Sequence, residues 1–170
     1  WSFNSSRAFS NLGNIELIVS GNATELKNII TKYQADLSDF PSGLTFQIND
    51  GSELVITQAQ LDALDARIDG LLKIEDSSVG VAKLLNDAIP TTVKQISVSS
   101  NGKLFVSFDQ FRNLPNYYSK DIVISDTEEN IVKALNEDLL DDRVTALILE
   151  DDSTTLGKPK TNVNGAGSNS

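Results

Sequence analysis

With 170 residues the chain is long enough to bury a substantial core without staples, and it contains no cysteine, histidine or methionine. Those absences exclude a disulfide framework, a thiolate nucleophile and the usual structural zinc site, and they remove the commonest general base, so a non-enzymatic role is the expectation. A formal net charge of −10 disfavours nucleic acid and anionic membrane surfaces as partners and favours divalent cations, although an acidic surface also simply keeps a protein in solution. No apolar run approaches the roughly 20 residues of a membrane span. The chain opens on Trp1, as a processed or excised chain would.

Residues 1–14 are polar, with Trp1, Phe3, Phe9 and Leu12 scattered among Ser and Asn. They read as an N-terminal arm whose apolar side chains need a surface to pack on. Residues 15–20 read as a buried strand. Asn22 and Glu25 then have the form of a capping box, and Leu26, Ile29, Ile30 and Tyr33 follow at helical spacing to about Leu37, before Pro41. Residues 44–49 alternate apolar and polar as a half-buried strand. Asp50 and Gly51 turn the chain, with a local hairpin as the expectation, and 53–57 is a short strand. Thr57 with Gln60 is a second capping box, and Leu61, Leu64 and Ile68 mark a helix ending at Gly70.

A second unit repeats this plan. Residues 71–75 read as strand and 79–89 as helix, stopped by Pro90. Residues 93–99 form the alternating strand, Asn101 and Gly102 the turn, and 103–106 the short strand. Ser107 with Gln110 caps a helix carrying Phe111 and Leu114. A third unit starts at Asp121, with its alternating strand in 144–150, a turn at Asp151, Asp152 and Ser153, and a short strand beginning at Thr154. Residues 157–170 have the composition of a linker-like tail.

The units match residue by residue. Ile122, Ile124, Asp126, Ile131, Lys133, Leu135 and Asn136 fall fifty positions after Leu72, Ile74, Asp76, Val81, Lys83, Leu85 and Asn86. The match places Leu85 and Leu135 alike in the core. A fainter copy holds Leu17, Val19, Gly21, Leu26 and Ile30. The expected fold is therefore α/β: a repeat domain over 15–156, with units at about 15–70, 71–120 and 121–156. It is read as a solenoid-like stack of strand–helix and strand–turn–strand–helix units, with a mainly parallel sheet and helices laid against it. A compact α/β sandwich with antiparallel pairs is the alternative.

Asp126, Thr127, Asn130, Ile131 and Leu135, followed by 144–151, and the stretch from Leu54 to Gln60 resemble repeats of very large exported bacterial surface proteins of the adhesin-like, S-layer-like and hemolysin-type kinds. The resemblance covers roughly 15–156 and consists mostly of hydrophobic spacing. The glycine-aspartate nonapeptide of calcium-binding RTX repeats is missing, so that mechanism is not implied. What the resemblance implies is an extracellular or cell-surface module that is structural. Apart from the resemblance, the third unit stops after 144–156 with no following unit to cover its strands, so head-to-tail association into homo-oligomers or filaments is the expectation, with the arm residues Trp1, Phe3, Phe9 and Leu12 as the contact. A glycan- or calcium-binding adhesion module on the same scaffold is the second reading.

Two groups of side chains are candidates for binding. Asp50, Asp76, Asp126, Asp151 and Asp152 recur at strand ends, where stacked carboxylates suit a calcium ion that takes six to eight oxygen ligands. Against this, Asp76 and Asp126 read more simply as helix N-caps. Phe105, Phe108, Phe111, Tyr117 and Tyr118 offer a carbohydrate-stacking surface, against a plainer role for the phenylalanines in the core.

Overall fold

The computed structural model describes residues 16–150, apart from 42, 65 and 66, together with 155–157. The assembly residues Trp1, Phe3, Phe9 and Leu12, and the carboxylates Asp151 and Asp152, lie outside the described residues. The chain is mixed α/β. In order it forms β1 (Leu17–Gly21), α1 (Ala23–Lys32), a 3-10 turn (Gln34–Asp39), β2 (Leu44–Ile48), β3 (Glu53–Ile56), α2 (Gln58–Leu64), β4 (Ile68–Asp69) and β5 (Leu71–Asp76). There follow α3 (Ser78–Leu84), β6 (Val93–Val98), a 3-10 turn (Ser99–Asn101), β7 (Leu104–Val106), α4 (Phe108–Arg112), β8 (Ile122–Asp126), α5 (Glu128–Asn136), β9 (Val144–Leu149) and β10 (Thr155–Gly157).

The strands make three small sheets, ordered β1-β2-β4, β3-β5-β6 and β10-β9-β8-β7. Every pair is parallel except β9 with β10. A parallel neighbour requires a crossover, and β1–β2, β5–β6, β7–β8 and β8–β9 each obtain one from the helix between them. The first two sheets share one stretch of chain. β4 runs beside β2 and β5 beside β3, with Phe46 opposite Ile68 and Glu53 opposite Leu71. Gly70 separates β4 from β5 at φ +143, where a side chain is strained, and a Cβ there would stand 2.6 Å from Ile48 Cδ1.

That sharing explains why the Asp50-Gly51 turn makes no hairpin. β2 and β3 each pair with the following stretch instead of with each other, and the turn is a jog between two registers. Gly51 takes φ +69 and Asp50 Oδ1 accepts the Ser52 N–H. The Asn101-Gly102 turn behaves alike, since β6 and β7 belong to different sheets. The antiparallel pair lies at the last turn instead, where β10 returns along β9 with Leu156 opposite Leu147.

The helices are shorter than their apolar spacing suggests. α1 stops at Lys32 and gives way to the 3-10 turn, in which Leu37 is buried. Ile68 belongs to β4, because α2 ends at Leu64. α3 ends at Leu84, well before Pro90. One hydrophobic cluster runs from Leu26 through Phe46, Ile74 and Ile124 to Leu147. Among the described residues no helix is long and apolar enough to cross a membrane.

Leu85 and Leu135 part company. Leu85 is fully buried and Leu135 is 37% exposed. Leu85 lies just past α3, in a tightened turn where its N–H reaches Ala82 O at 3.2 Å, and that turn carries its side chain inward. α5 continues to Asn136, so Ala134 takes the inward position and Leu135 faces out. Leu85→Ala should therefore destabilise by about 2–5 kcal/mol as a buried truncation. Leu135→Ala should cost less than about 1 kcal/mol, in line with surface substitutions. Urea unfolding of both variants measures this, and equal losses would contradict the inward turn at Leu85.

Candidate functional site

Asp76 and Asp126, fifty positions apart, end β5 and β8. Neither is the N-cap of the helix that follows. Ser77 caps α3 by accepting from Gly80 N, and Thr127 caps α5 by accepting from Asn130 N. The strand-end aspartates reach sideways instead. Asp76 Oδ2 accepts the N–H of Gln58, the first residue of α2, at 2.9 Å, and its Oδ1 accepts Ser77 N–H at 2.6 Å. Asp126 Oδ2 accepts the N–H of Phe108, the first residue of α4, at 2.8 Å, and its Oδ1 accepts Thr127 N–H at 2.8 Å. Each carboxylate thus joins the starts of two neighbouring helices, where the backbone supplies unpaired donors and a positive dipole end.

The two copies differ four residues on. Asn130 adds an Nδ2 bond to Asp126 Oδ1 at 2.8 Å. Its counterpart is Gly80, where any Cβ would overlap the Asp76 carboxylate. Burial alone would push the Asp126 carboxyl up, but the bonds from Asn130, Phe108 and Thr127 outweigh it, and the group is held below the ordinary carboxylate range.

The other candidate groups are dispersed. Asp50 is exposed and bonded to Ser52, which lowers its pKa. Among the described residues no three or more aspartates and glutamates converge as a metal-holding group. The aromatic set divides: Phe108, Phe111 and Tyr118 are buried, while Phe105 and Tyr117 stay about half exposed. Burial, with Asp121 nearby, pushes the Tyr118 hydroxyl up to about 12.

A further group of side chains is not evident from composition or motif. Arg67 donates from Nη2 to Leu37 O at 2.8 Å and from Nη1 to Phe40 O at 3.0 Å. Arg143 donates from Nη1 to Pro115 O at 3.1 Å and Tyr118 O at 2.9 Å, and its guanidinium lies 5.8 Å from the Phe111 ring centre. Tyr117 Oη donates to Val93 O at 3.3 Å. All three reach back to main-chain carbonyls of an earlier segment, and both arginines directly precede a strand. The sequence carries no signal for them, since neither arginine falls in a motif. No family model, no curated protein and no solved structure matches the chain.

The acid response follows from the carboxylate. A folded-state pKa below the unfolded value of about 3.9 contributes stability above that pH and loses it as pH falls through the folded value. Wild type should exceed Asp126→Asn by about 1–3 kcal/mol at neutral pH, the scale of disturbing buried hydrogen bonds to a charged acceptor. The difference should shrink below about pH 4, as urea midpoints from pH 7 to 3 would reveal; a gap that stays constant would contradict the charged latch.

Alanine in place of a helical glycine ordinarily helps by about 1 kcal/mol. Gly80→Ala should instead lower the melting temperature, because the Asp76 carboxylate must move. A rise would show that Asp76 is not lodged there.

Proposed function

We propose that the chain is a structural module of an exported bacterial surface protein, a solenoid-like stack of strand–helix units whose task is to be a stiff, self-associating scaffold. The observation that carries this reading is the strand-end latch, which occurs with the same partners at Gln58–Asp76 and Phe108–Asp126. Polar groups placed this way join one layer of the stack to the next. The buried glutamine Gln60 and its counterpart Gln110 do the same, donating from Nε2 to Gln34 Oε1 and to Ala82 O.

Among the described residues β1 at one end and β10 at the other each have a neighbour on one side only, and Ile18 on β1 is 53% exposed. An edge strand with one open side is a template for another chain. In this reading the arm carrying Trp1, Phe3, Phe9 and Leu12 packs on a neighbouring copy, a heterologous contact that propagates instead of closing.

Removing residues 1–14 should abolish concentration-dependent growth in light scattering, while the full chain forms a ladder of species. If both remain monomers at high concentration, the assembly reading fails. The scaffold reading also expects the same melting temperature with millimolar calcium and with chelator. A calcium-dependent rise, by mass action on the folded state, would favour the cation-binding adhesion module instead.

A further inference from the structure

The helix α3 receives side chains from the helix that follows it. Gln110 Nε2 donates to Ala82 O at 2.9 Å and to Asn86 Oδ1 at 2.8 Å, and Asn113 Nδ2 donates to Leu85 O at 2.9 Å. Fifty positions on, the same three places belong to Val132, Leu135 and Asn136 of α5. Among the described residues only strands follow α5, so no helix start is there to reach them.

What α5 presents at these places is apolar and open. Val132 is 45% exposed and Leu135 37%, and residues three apart are neighbours on a helix surface. Leu139, also exposed, belongs to the turn that closes the helix, where Asp138 takes φ +51 and Leu139 N–H bonds Ala134 O at 3.1 Å. Glu128 and Glu129 stand at one end of this face and Glu137 and Asp138 at the other, all exposed, with Lys133 the one base on the helix. Scattered apolar residues on a surface need no explanation, whereas neighbouring ones rimmed by charge mark a contact.

We propose that this face of α5 is the seat for the N-terminal arm of a second copy of the chain. The seat presupposes the self-association proposed above and names the surface that receives the arm. Residues 1–14 bring Trp1, Phe3, Phe9 and Leu12 to cover apolar surface. They also bring Arg7 and no acidic residue, which complements the acidic rim. Residues 158–170 are basic too, through Lys158 and Lys160, but Val163 is their one large apolar side chain. The occupant is a second copy because the arm leads into β1 of the first sheet, whereas α5 packs on β9 of the last.

The chain has no cysteine, so Ser5→Cys supplies a unique site for a nitroxide spin label on the arm. Mixing that labelled full chain with isotope-labelled wild type makes amide broadening in nuclear magnetic resonance report contact between copies only. Broadening should centre on Val132, Leu135, Asn136 and Leu139. Val132→Glu, a change on the exposed helix surface, should leave the melting temperature unchanged and weaken association about tenfold in sedimentation, the scale of losing one interface anchor. Arg7→Glu should weaken it several-fold. Association that persists with broadening centred elsewhere, as on Ile18, overturns this seat and leaves self-association standing. Undiminished association in Val132→Glu does the same. Broadening at α5 that appears only when spin label and isotope share one chain assigns the face to the chain's own arm and overturns the second copy. Absence of association at any concentration overturns the seat and the self-association together.

Discussion

The hydrogen bond from the first N–H of one helix to a carboxylate at the end of a following strand is the constraint on which the arrangement depends. It has to be made between elements eighteen residues apart, Gln58 with Asp76 and Phe108 with Asp126. It therefore fixes where β5 and β8 must stop. A β5 one residue longer or shorter would put the wrong face of residue 76 toward α2, because side chains alternate along a strand. The register Leu54 with Leu72 and Ile56 with Ile74 places buried leucine and isoleucine side by side in the same step. Polar latch and apolar core thus demand the same alignment, and consistency of that kind gives a sequence a single folded state.

Latches of this sort allow very short helices. α4 has five residues and α2 and α3 seven each, far below the roughly 12–15 at which an isolated helix becomes marginal in water. Their stability comes from what holds their ends. The capping boxes at Thr57 with Gln60 and Ser107 with Gln110 satisfy N-terminal donors, and the strand-end aspartates satisfy another. At the opposite end of α2 an arginine serves: Arg67 takes Leu64 O and Ala63 O as well as carbonyls of the preceding turn. The helices act as spacers between parallel strands, and their length is set by the crossover, not by propensity.

Much of this was legible in the residues. The capping boxes at Asn22, Thr57 and Ser107 form as their sequences imply, and the apolar alternation at 44–48 and 93–98 gives strands. What periodicity could not separate was apolar residues spaced four apart that belong to different elements. Leu64 and Ile68 fit one helix face, yet Ile68 pairs with Phe46 in a sheet, because a two-residue strand has no period to read. The Asp-Gly and Asn-Gly turns carry a strong local hairpin signal, overridden because both flanking strands find parallel partners elsewhere. The same limit applies to Asp76 and Asp126: a residue just before a helix reads as its cap, and only the neighbouring helix reveals the sideways bond. Arg67 and Arg143 were silent for a related reason, since their acceptors are main-chain carbonyls, which leave no mark in a sequence.

The latch also bears on cation binding at these positions. A calcium ion draws six to eight oxygens into its shell, and an oxygen already accepting from backbone donors has to give them up or share poorly. At Asp126 that would release the N–H groups of Phe108 and Thr127 together with the Asn130 amide. Each is a hydrogen bond to a charged group, worth about 1.5–3 kcal/mol, so the ion would first have to offset several kcal/mol of lost latching. Its gain would come at a site where no third carboxylate converges among the described residues. Asp50 differs, because its bonds are to its own turn at Ser52 and its release would disturb no neighbouring helix. At Asp76 and Asp126 the carboxylate oxygens are thus already engaged, and their recurrence follows from the pairs of helix starts that they join.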